Sequence, residues 1–305
     1  MKQHKAAIAA SALVFVLALM VLAGCPRSQS PGNAVSEVLP PQAGAEKGTI
    51  EQIGSTTVLP IATAWARAYR QVAPEVEVNV AGGGSGTGIE ALINGTVDIA
   101  NASRPMKDTE RRAAEAAGVH PVEHVVAYDG LSAIVHPDNP IASLSLQQLS
   151  DIYSGEVSDW SELGVQGLGK IIVLGRDSSS GTYGSWEEMV VRVVDENREY
   201  TVEMLQLQSN EAVKSHVANT EAAIGYVGLG YLDDSVKAVP IVPSEGGEAV
   251  MPSKETVADG TYPISRELYM YTNGEPQGIV KDYLEWGMGE EGQKLVAEAG
   301  FVPVR

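Results

Sequence analysis

"KIIVLGRDSSSGTYGSWEEM", residues 170–189, passes from an apolar run through a short polar loop into a helical pattern. "KIIVL" reads as a strand, and from Thr182 onward Trp186, Met189, Val190, Val193 and Val194 recur at a spacing that lines one face of a helix. The loop between them holds one arginine, three serines, a glycine and a threonine. The same order of strand, small polar loop and helix start occurs at "GSTTV" (Gly54 to Val58) and at "GGGSGTG" (Gly82 to Gly88). The first follows "TIEQI" and precedes "PIATAWARAYRQ", where Ile61, Trp65, Ala68 and Tyr69 share a face and Pro60 suits a first turn. The second follows the alternating "EVEVNV" and precedes a helix that begins near Thr87, carries Ile89, Leu92 and Ile93 inward and stops at Gly95. "VDIA", "EHVVAY" and "LSAIVH" read as further strands. Strands that alternate with helices in this way predict an α/β fold.

The three loops share a physical property. A helix N-terminus presents unpaired backbone N–H groups and a partial positive charge, and glycine lets an anion approach that backbone closely. Serine and threonine hydroxyls add donors at the same place. Any one of these loops also fits an ordinary helix cap, since Ser, Thr and Gly are favoured there for stability alone. Three in one chain, one with an arginine, suit a small oxyanion. A dinucleotide is excluded, because no register of "GGGSGTG" gives G-x-G-x-x-G, and the Gly-Lys-Ser/Thr ending of a nucleotide-hydrolase phosphate loop is absent.

With 305 residues and 44% hydrophobic content the chain can bury a large core, and its length predicts two globular units. A formal net charge of −18 argues against nucleic acid as a partner. The first residues, "MKQHKAAIAASALVFVLALMVLAGC", have a short basic start, an apolar run from Ala6 to Ala23 and then the chain's one cysteine, Cys25. This is the form of a secretory signal. Loss of residues 1–24 would delete Lys2 and Lys5 and no acid, taking the charge from −18 to −20. "LAGC" (Leu22 to Cys25) resembles a bacterial lipobox, in which the cysteine is lipidated and becomes the new N-terminus; a transmembrane anchor is the alternative. Residues 26–48, rich in proline, glycine and serine, read as a flexible tether.

Signatures of catalysis are missing. No serine lies in G-x-S-x-G, and S-x-x-K does not occur. His120 and His124 are four apart, but Pro121 lies between them in an extended-looking segment, so helical metal-ligand geometry is not expected. No metal and no cofactor are implied.

The order and spacing of further segments carry a family resemblance: "DGLSAIVHPDNP" (Asp129 to Pro140), "LSDIYSGEVSDWSELG" (Leu149 to Gly164), "AIGYVGLGY" (Ala223 to Tyr231) and "GQKLVAEAGFVPV" (Gly292 to Val304). Together with the three loops they make residues 48–305 resemble the solute-binding protein of the bacterial phosphate ABC transporter. The resemblance implies a two-lobed periplasmic-binding-protein fold of type II, with two strands crossing between the lobes and the anion buried in the cleft. It implies a signal peptide over 1–24, a tether over 25–47, a first lobe from 48–129 plus 248–305 and a second from 130–247. It also implies a monomeric, non-enzymatic receptor, held by its lipid on the extracytoplasmic (periplasmic) face of the cell membrane, with inorganic phosphate and the permease subunits as partners. Sulfate, molybdate or tungstate remains the alternative ligand, and an exported serine phosphatase or hydrolase using Ser85 or Ser180 the alternative class.

Residue by residue, the resemblance carries phosphate contacts onto Thr56, Thr57 and the Val58 N–H, onto Ser85, Gly86 and Thr87, onto Ser103, and onto Arg176, Ser180, Gly181 and Thr182. Some members follow Ala-Ser with an aspartate that accepts the phosphate's proton, whereas this chain reads "NASRP", with Arg104 there. Asp129 is the leading substitute and Asp98 the second, while Asp177 is expected to orient Arg176.

Overall fold

The computed structural model describes residues 47–244 and 246–304; the leader, Cys25 and the tether before residue 47 lie outside the described residues. The chain begins β1 (Gly48–Gly54), α1 (Leu59–Val72), β2 (Val76–Ala81), α2 (Ser85–Ile93), β3 (Ile99–Ala102), α3 (Asp108–Ala116) and β4 (Pro121–Val135). It continues through β5 (Leu144–Ser145), α4 (Leu146–Ser154), β6 (Ile172–Arg176), α5 (Gly181–Trp186), β7 (Leu205–Leu207), α6 (Asn210–Ala218) and β8 (Ala223–Gly228). Next come β9 (Lys237–Ala238), β10 (Ile241–Val242), α7 (Lys254–Ala258), β11 (Ser265–Asn273), α8 (Gly278–Gly287) and α9 (Glu290–Glu298).

These strands form two half-sheets that share β4. In the first lobe the order is β2-β1-β3-β11-β4, with β1, β2 and β3 parallel and β11 antiparallel to both its neighbours. Strand β11 shows why helices cover both faces. Leu268 and Met270 pack toward Trp65 of α1, Tyr283 of α8 and Val296 of α9, while Tyr269 and Tyr271 point the other way, to Ile89 and Leu92 of α2. Trp65 is fully buried, donates its indole N–H to the Gly292 carbonyl at 2.8 Å and meets the Tyr283 ring edge-on. In the second lobe the order is β4-β8-β6-β7, with α4 and α5 on one face and α6 on the other.

The crossing falls within β4. Its residues up to Gly130 pair with β11, and from Leu131 they pair with β8. The two segments expected as separate strands, "EHVVAY" and "LSAIVH", are therefore one fifteen-residue strand. "DG" between them reads as a turn, yet here it is extended backbone passing from one lobe to the other. The return runs alongside: Leu131 N–H donates to the Ile264 carbonyl at 2.8 Å, and Ser265 stands opposite Gly130. Val257, Tyr262 and Ile264 pack in the core of the second lobe, so the chain re-enters the first lobe at β11 and not at about 248.

A second difference concerns the helix after "RDSSSGT". Its α-helical part ends at Trp186 and a π-helical turn, Glu187–Val191, follows. The wider turn ends the inward stripe at Val191; Val193 and Val194, expected inside, are 44% and 47% exposed.

Gly54 ends β1 at a backbone φ of +145°, and a Cβ there would lie 2.1 Å from the Asn101 carbonyl oxygen on β3. Gly54→Ala is therefore expected to cost about 2 kcal/mol or more through strain and overlap, seen as a lower urea midpoint at unchanged slope. A midpoint within error of the parent would show that β1 and β3 yield easily here.

Candidate functional site

All three loops lie at the carboxyl ends of parallel strands, where α/β sheets bind ligands. After β1, the Ser55 hydroxyl accepts the N–H groups of Thr57 at 3.1 Å and Val58 at 3.4 Å and so fixes the turn that leads into α1. Thr56 and Thr57 are buried there. After β2, Gly84 caps α2 at φ +101°, a conformation that glycine tolerates best, and Ser85 opens the helix fully buried. After β6, the Ser180 hydroxyl caps α5 by accepting from Thr182 N–H and Tyr183 N–H.

The second and third loops meet. Ser85 Oγ accepts the Ser103 N–H at 3.0 Å and lies 3.4 Å from Ser103 Oγ. A Cβ on Gly181 would stand 2.2 Å from Ser85 Oγ and 2.6 Å from Ser103 Oγ, so only glycine lets the start of α5 approach this close. Gly86 N–H donates to the Ser179 carbonyl at 2.9 Å and is committed to joining the lobes. Thr87 is exposed and turns its hydroxyl to the Gly83 carbonyl at 2.9 Å, away from the other candidates.

Arg176 is buried at the end of β6. Its Nε and Nη2 donate to the carbonyls of Leu207 at 3.0 Å and Gln208 at 2.6 Å, and its backbone N–H donates to the Tyr226 hydroxyl at 3.1 Å. Carbonyls, and not Asp177, orient this guanidinium: Asp177 Oδ1 accepts from the Ser179 N–H and hydroxyl. Burial pushes the Arg176 pKa down, and the nearby Arg266 adds to that effect, which means that desolvated positive charge is concentrated here. Tyr226 stacks on Trp186 at 4.5 Å, and burial pushes its hydroxyl up to about 12, so it stays a neutral hydrogen-bonding group.

The acid candidates separate clearly. Asp98 is exposed and accepts the Glu51 N–H at 2.8 Å on the outside of the first lobe. Arg104, which follows Ala-Ser where the resemblance leads to an acid being expected, forms a two-pronged pair with Glu110 at 2.6 and 2.8 Å. Asp129 is fully buried. Its Oδ2 accepts from Arg266 Nε at 3.0 Å and Nη2 at 2.9 Å, and its Oδ1 accepts from Leu229 N–H at 2.8 Å. Burial raises the Asp129 pKa, and the Arg266 charge and the hydrogen bonds oppose the rise.

Two residues of this cluster escaped the sequence reading. Arg266 stands directly opposite Asp129 in the β4–β11 ladder. It also donates to the Ser103 carbonyl at 2.9 Å, to Thr182 Oγ1 at 3.0 Å and to Thr57 Oγ1 at 3.3 Å. Asn210, first residue of α6, donates from Nδ2 to Thr57 Oγ1 at 3.1 Å and Thr56 Oγ1 at 3.2 Å. A signal for Arg266 was present: "LYMY" (Leu268 to Tyr271) is apolar on both faces, so an arginine two residues before it needs a buried partner. Nothing local marks Asn210. The cluster combines two cations, one anion and several hydroxyls, and draws on both lobes. It can hold a small oxyanion by charge-assisted hydrogen bonds. Ser85 and Ser180 bond to backbone N–H groups and to Ser103, and neither has a histidine, lysine or carboxylate partner to activate it. His124 bonds Thr272 at 3.0 Å on β4, and no metal-ligand cluster occurs among the described residues.

Comparison with known proteins points the same way. The model of the PBP superfamily domain matches residues 40–291. The phosphate-binding protein PstS of Pseudomonas aeruginosa is 32% identical over 89% of this chain and 88% of its own length. PstS of Bacillus subtilis is 31% identical over 96% and 92%. A putative phosphate ABC transporter substrate-binding protein of Clostridium perfringens, solved with bound phosphate, superposes with a TM-score of 0.75 at 32% identity, covering 85% of this chain and all of that one.

Proposed function

Because the chain belongs to the PstS family of phosphate-binding proteins within the PBP superfamily, a family of transport receptors and not of enzymes, we propose that it captures inorganic phosphate between its two lobes and hands it to an ABC permease. One observation carries this reading. The hydroxyls of Thr57, Ser85, Ser103 and Thr182 and the buried Arg176, Arg266 and Asp129 gather where the two lobes touch, with the starts of α2 and α5 face to face. Two arginines against one aspartate leave one net positive charge for an anion, although the chain as a whole carries −18. The local cluster, and not the long-range field, has to attract the ligand.

In this reading Thr56, Thr57, Val58, Ser85, Ser103, Asp129, Arg176, Ser180, Gly181 and Thr182 line or frame the phosphate site. Gly86 and Thr87 act from its rim, one joining the lobes and the other bracing its own loop. Calorimetric titration of the purified protein with phosphate, sulfate, molybdate and tungstate tests it. A large preference for phosphate is expected; equal affinity for sulfate would reassign the receptor to another oxyanion.

The receptor works as a monomer on the outer face of the cytoplasmic membrane, anchored through Cys25 after removal of residues 1–24. "LAGC" and the Pro/Gly/Ser-rich stretch that follows support this, since a tethered body can still reach a permease. No helix among the described residues is long and apolar enough to cross a membrane. One acyl chain binds only marginally, so stable anchoring takes the several chains of a bacterial lipoprotein. Cys25→Ser is expected to move the protein out of the membrane fraction; mature-sized protein still in the membrane would refute the anchor.

A further inference from the structure

We infer that Arg266 is the specificity-determining residue of the anion site: it leaves the hydroxyl of Thr182 as a donor and keeps Asp129 as the ionised acceptor. The inference rests on the proposed phosphate reading and deepens it.

Lone pairs can be counted. A hydroxyl has two acceptor positions and one hydrogen. Thr57 Oγ1 receives Asn210 Nδ2 at 3.1 Å and Arg266 Nη2 at 3.3 Å, which fills both positions. Asn210 cannot turn its amide round, because its Oδ1 already accepts the Gly228 N–H at 3.2 Å. In the 2.8 Å contact between Thr57 Oγ1 and Thr182 Oγ1, the hydrogen must therefore come from Thr57. Thr182 Oγ1 then accepts twice, from Thr57 and from Arg266 Nη2 at 3.0 Å, the latter sharing one N–H between the two threonines. Its own hydrogen is what Thr182 has left to offer. Thr57, with both lone pairs filled and its hydrogen given to Thr182, only braces this corner, which presents the Thr182 hydrogen to a bare oxyanion oxygen.

Asp129 is the complement. Both its contacts with Arg266 fall on Oδ2, and Oδ1 accepts only the Leu229 N–H, so one lone pair of Oδ1 can still receive a proton-bearing oxygen. The groups facing this carboxylate are Arg266 on β11, Tyr231 and the Leu229 N–H after β8, and Tyr262 before β11, while Arg176 from β6 acts on Arg266. Among the described residues, Arg266 is the only full positive charge that touches it. A buried carboxylate that loses its counter-charge takes up a proton and becomes a donor. The site would then lose its ability to tell phosphate, which keeps a proton at neutral pH, from sulfate, which has none.

The test reads sulfate, because sulfate does not titrate in the working range. Sulfate and phosphate affinities are measured by calorimetry from about pH 5 to about pH 9 for the parent, Arg266→Gln, Arg266→Lys and the double variant Arg266→Gln/Asp129→Asn. Parent protein that fails to bind phosphate refutes the phosphate reading itself. If the parent binds it, Arg266→Gln is expected to gain sulfate affinity by about tenfold or more as pH falls through the range, with phosphate selectivity dropping from roughly 10⁴-fold to about 10²-fold or less. Arg266→Lys should restore most of the selectivity, and the double variant should bind sulfate with no pH dependence. The double variant removes both members of the Arg266–Asp129 pair, so neither is left buried without its partner, and it keeps the test open if Arg266→Gln does not fold. Unchanged selectivity in Arg266→Gln, a loss of both anions that is equal at every pH, or sulfate binding by the double variant that still follows pH would each overturn the inference.

Discussion

Arg176→Ala is expected to weaken phosphate binding by roughly 30-fold to several thousand-fold, the equivalent of about 2 to 5 kcal/mol for a desolvated charge-assisted contact. The structure makes the loss severe for a second reason. Arg176 is held by the Leu207 and Gln208 carbonyls, so its side-chain entropy is already lost before an anion arrives. Arg192→Ala is the control. Arg192 carries the same charge but lies beyond the π-helical turn, half exposed and paired with Glu187 at 2.9 Å. Its removal should change binding by a few tenths of a kcal/mol. Calorimetry on both variants decides, and similar losses would mean that general charge and not the loop attracts the anion.

Asp129→Asn should admit sulfate. The parent site is expected to prefer phosphate by roughly 10⁴- to 10⁵-fold, because a buried acceptor meets the phosphate proton and faces sulfate with unrelieved negative charge. An amide at 129 can still accept from Arg266 and can offer its own N–H to sulfate. Selectivity should fall by at least about a hundredfold. Asp98→Asn, on the outer surface, should leave it unchanged. A selective Asp129→Asn protein would show that the proton acceptor is elsewhere.

What could be read from the sequence follows the range of the forces involved. The three strand-loop-helix units were legible because glycine, cap residues and apolar periodicity act within a few positions, and the loops that hold Ser85, Ser180 and Thr182 stood out that way. The dual nature of β4 was not legible. "YDGLS" carries a turn signal that tertiary pairing overrides, since β11 holds one end and β8 the other. Arg266 lies 137 positions from Asp129, and only the register of a non-local ladder places them side by side. Asn210 reached no threshold, because an asparagine at a helix start looks like a cap wherever its amide points. The helical stripe failed at Val193 and Val194 because one π-helical turn shifts the phase of everything after it.

The bonds that join the lobes have a kinetic meaning. Gly86 N–H to the Ser179 carbonyl and Ser185 Oγ to the Ser103 carbonyl run from lobe to lobe, as does the Asn210 amide to Thr56 and Thr57. None of them requires a ligand atom. On the proposed reading, escape of a bound anion has to wait until these bonds break together, so the dwell time is set largely by protein-to-protein contacts and much less by the strength of the ligand's own. A carrier held on the proposed tether would gain from this. On that reading it would keep its cargo through many fruitless collisions, and a permease would need only to pull the lobes apart to make it let go.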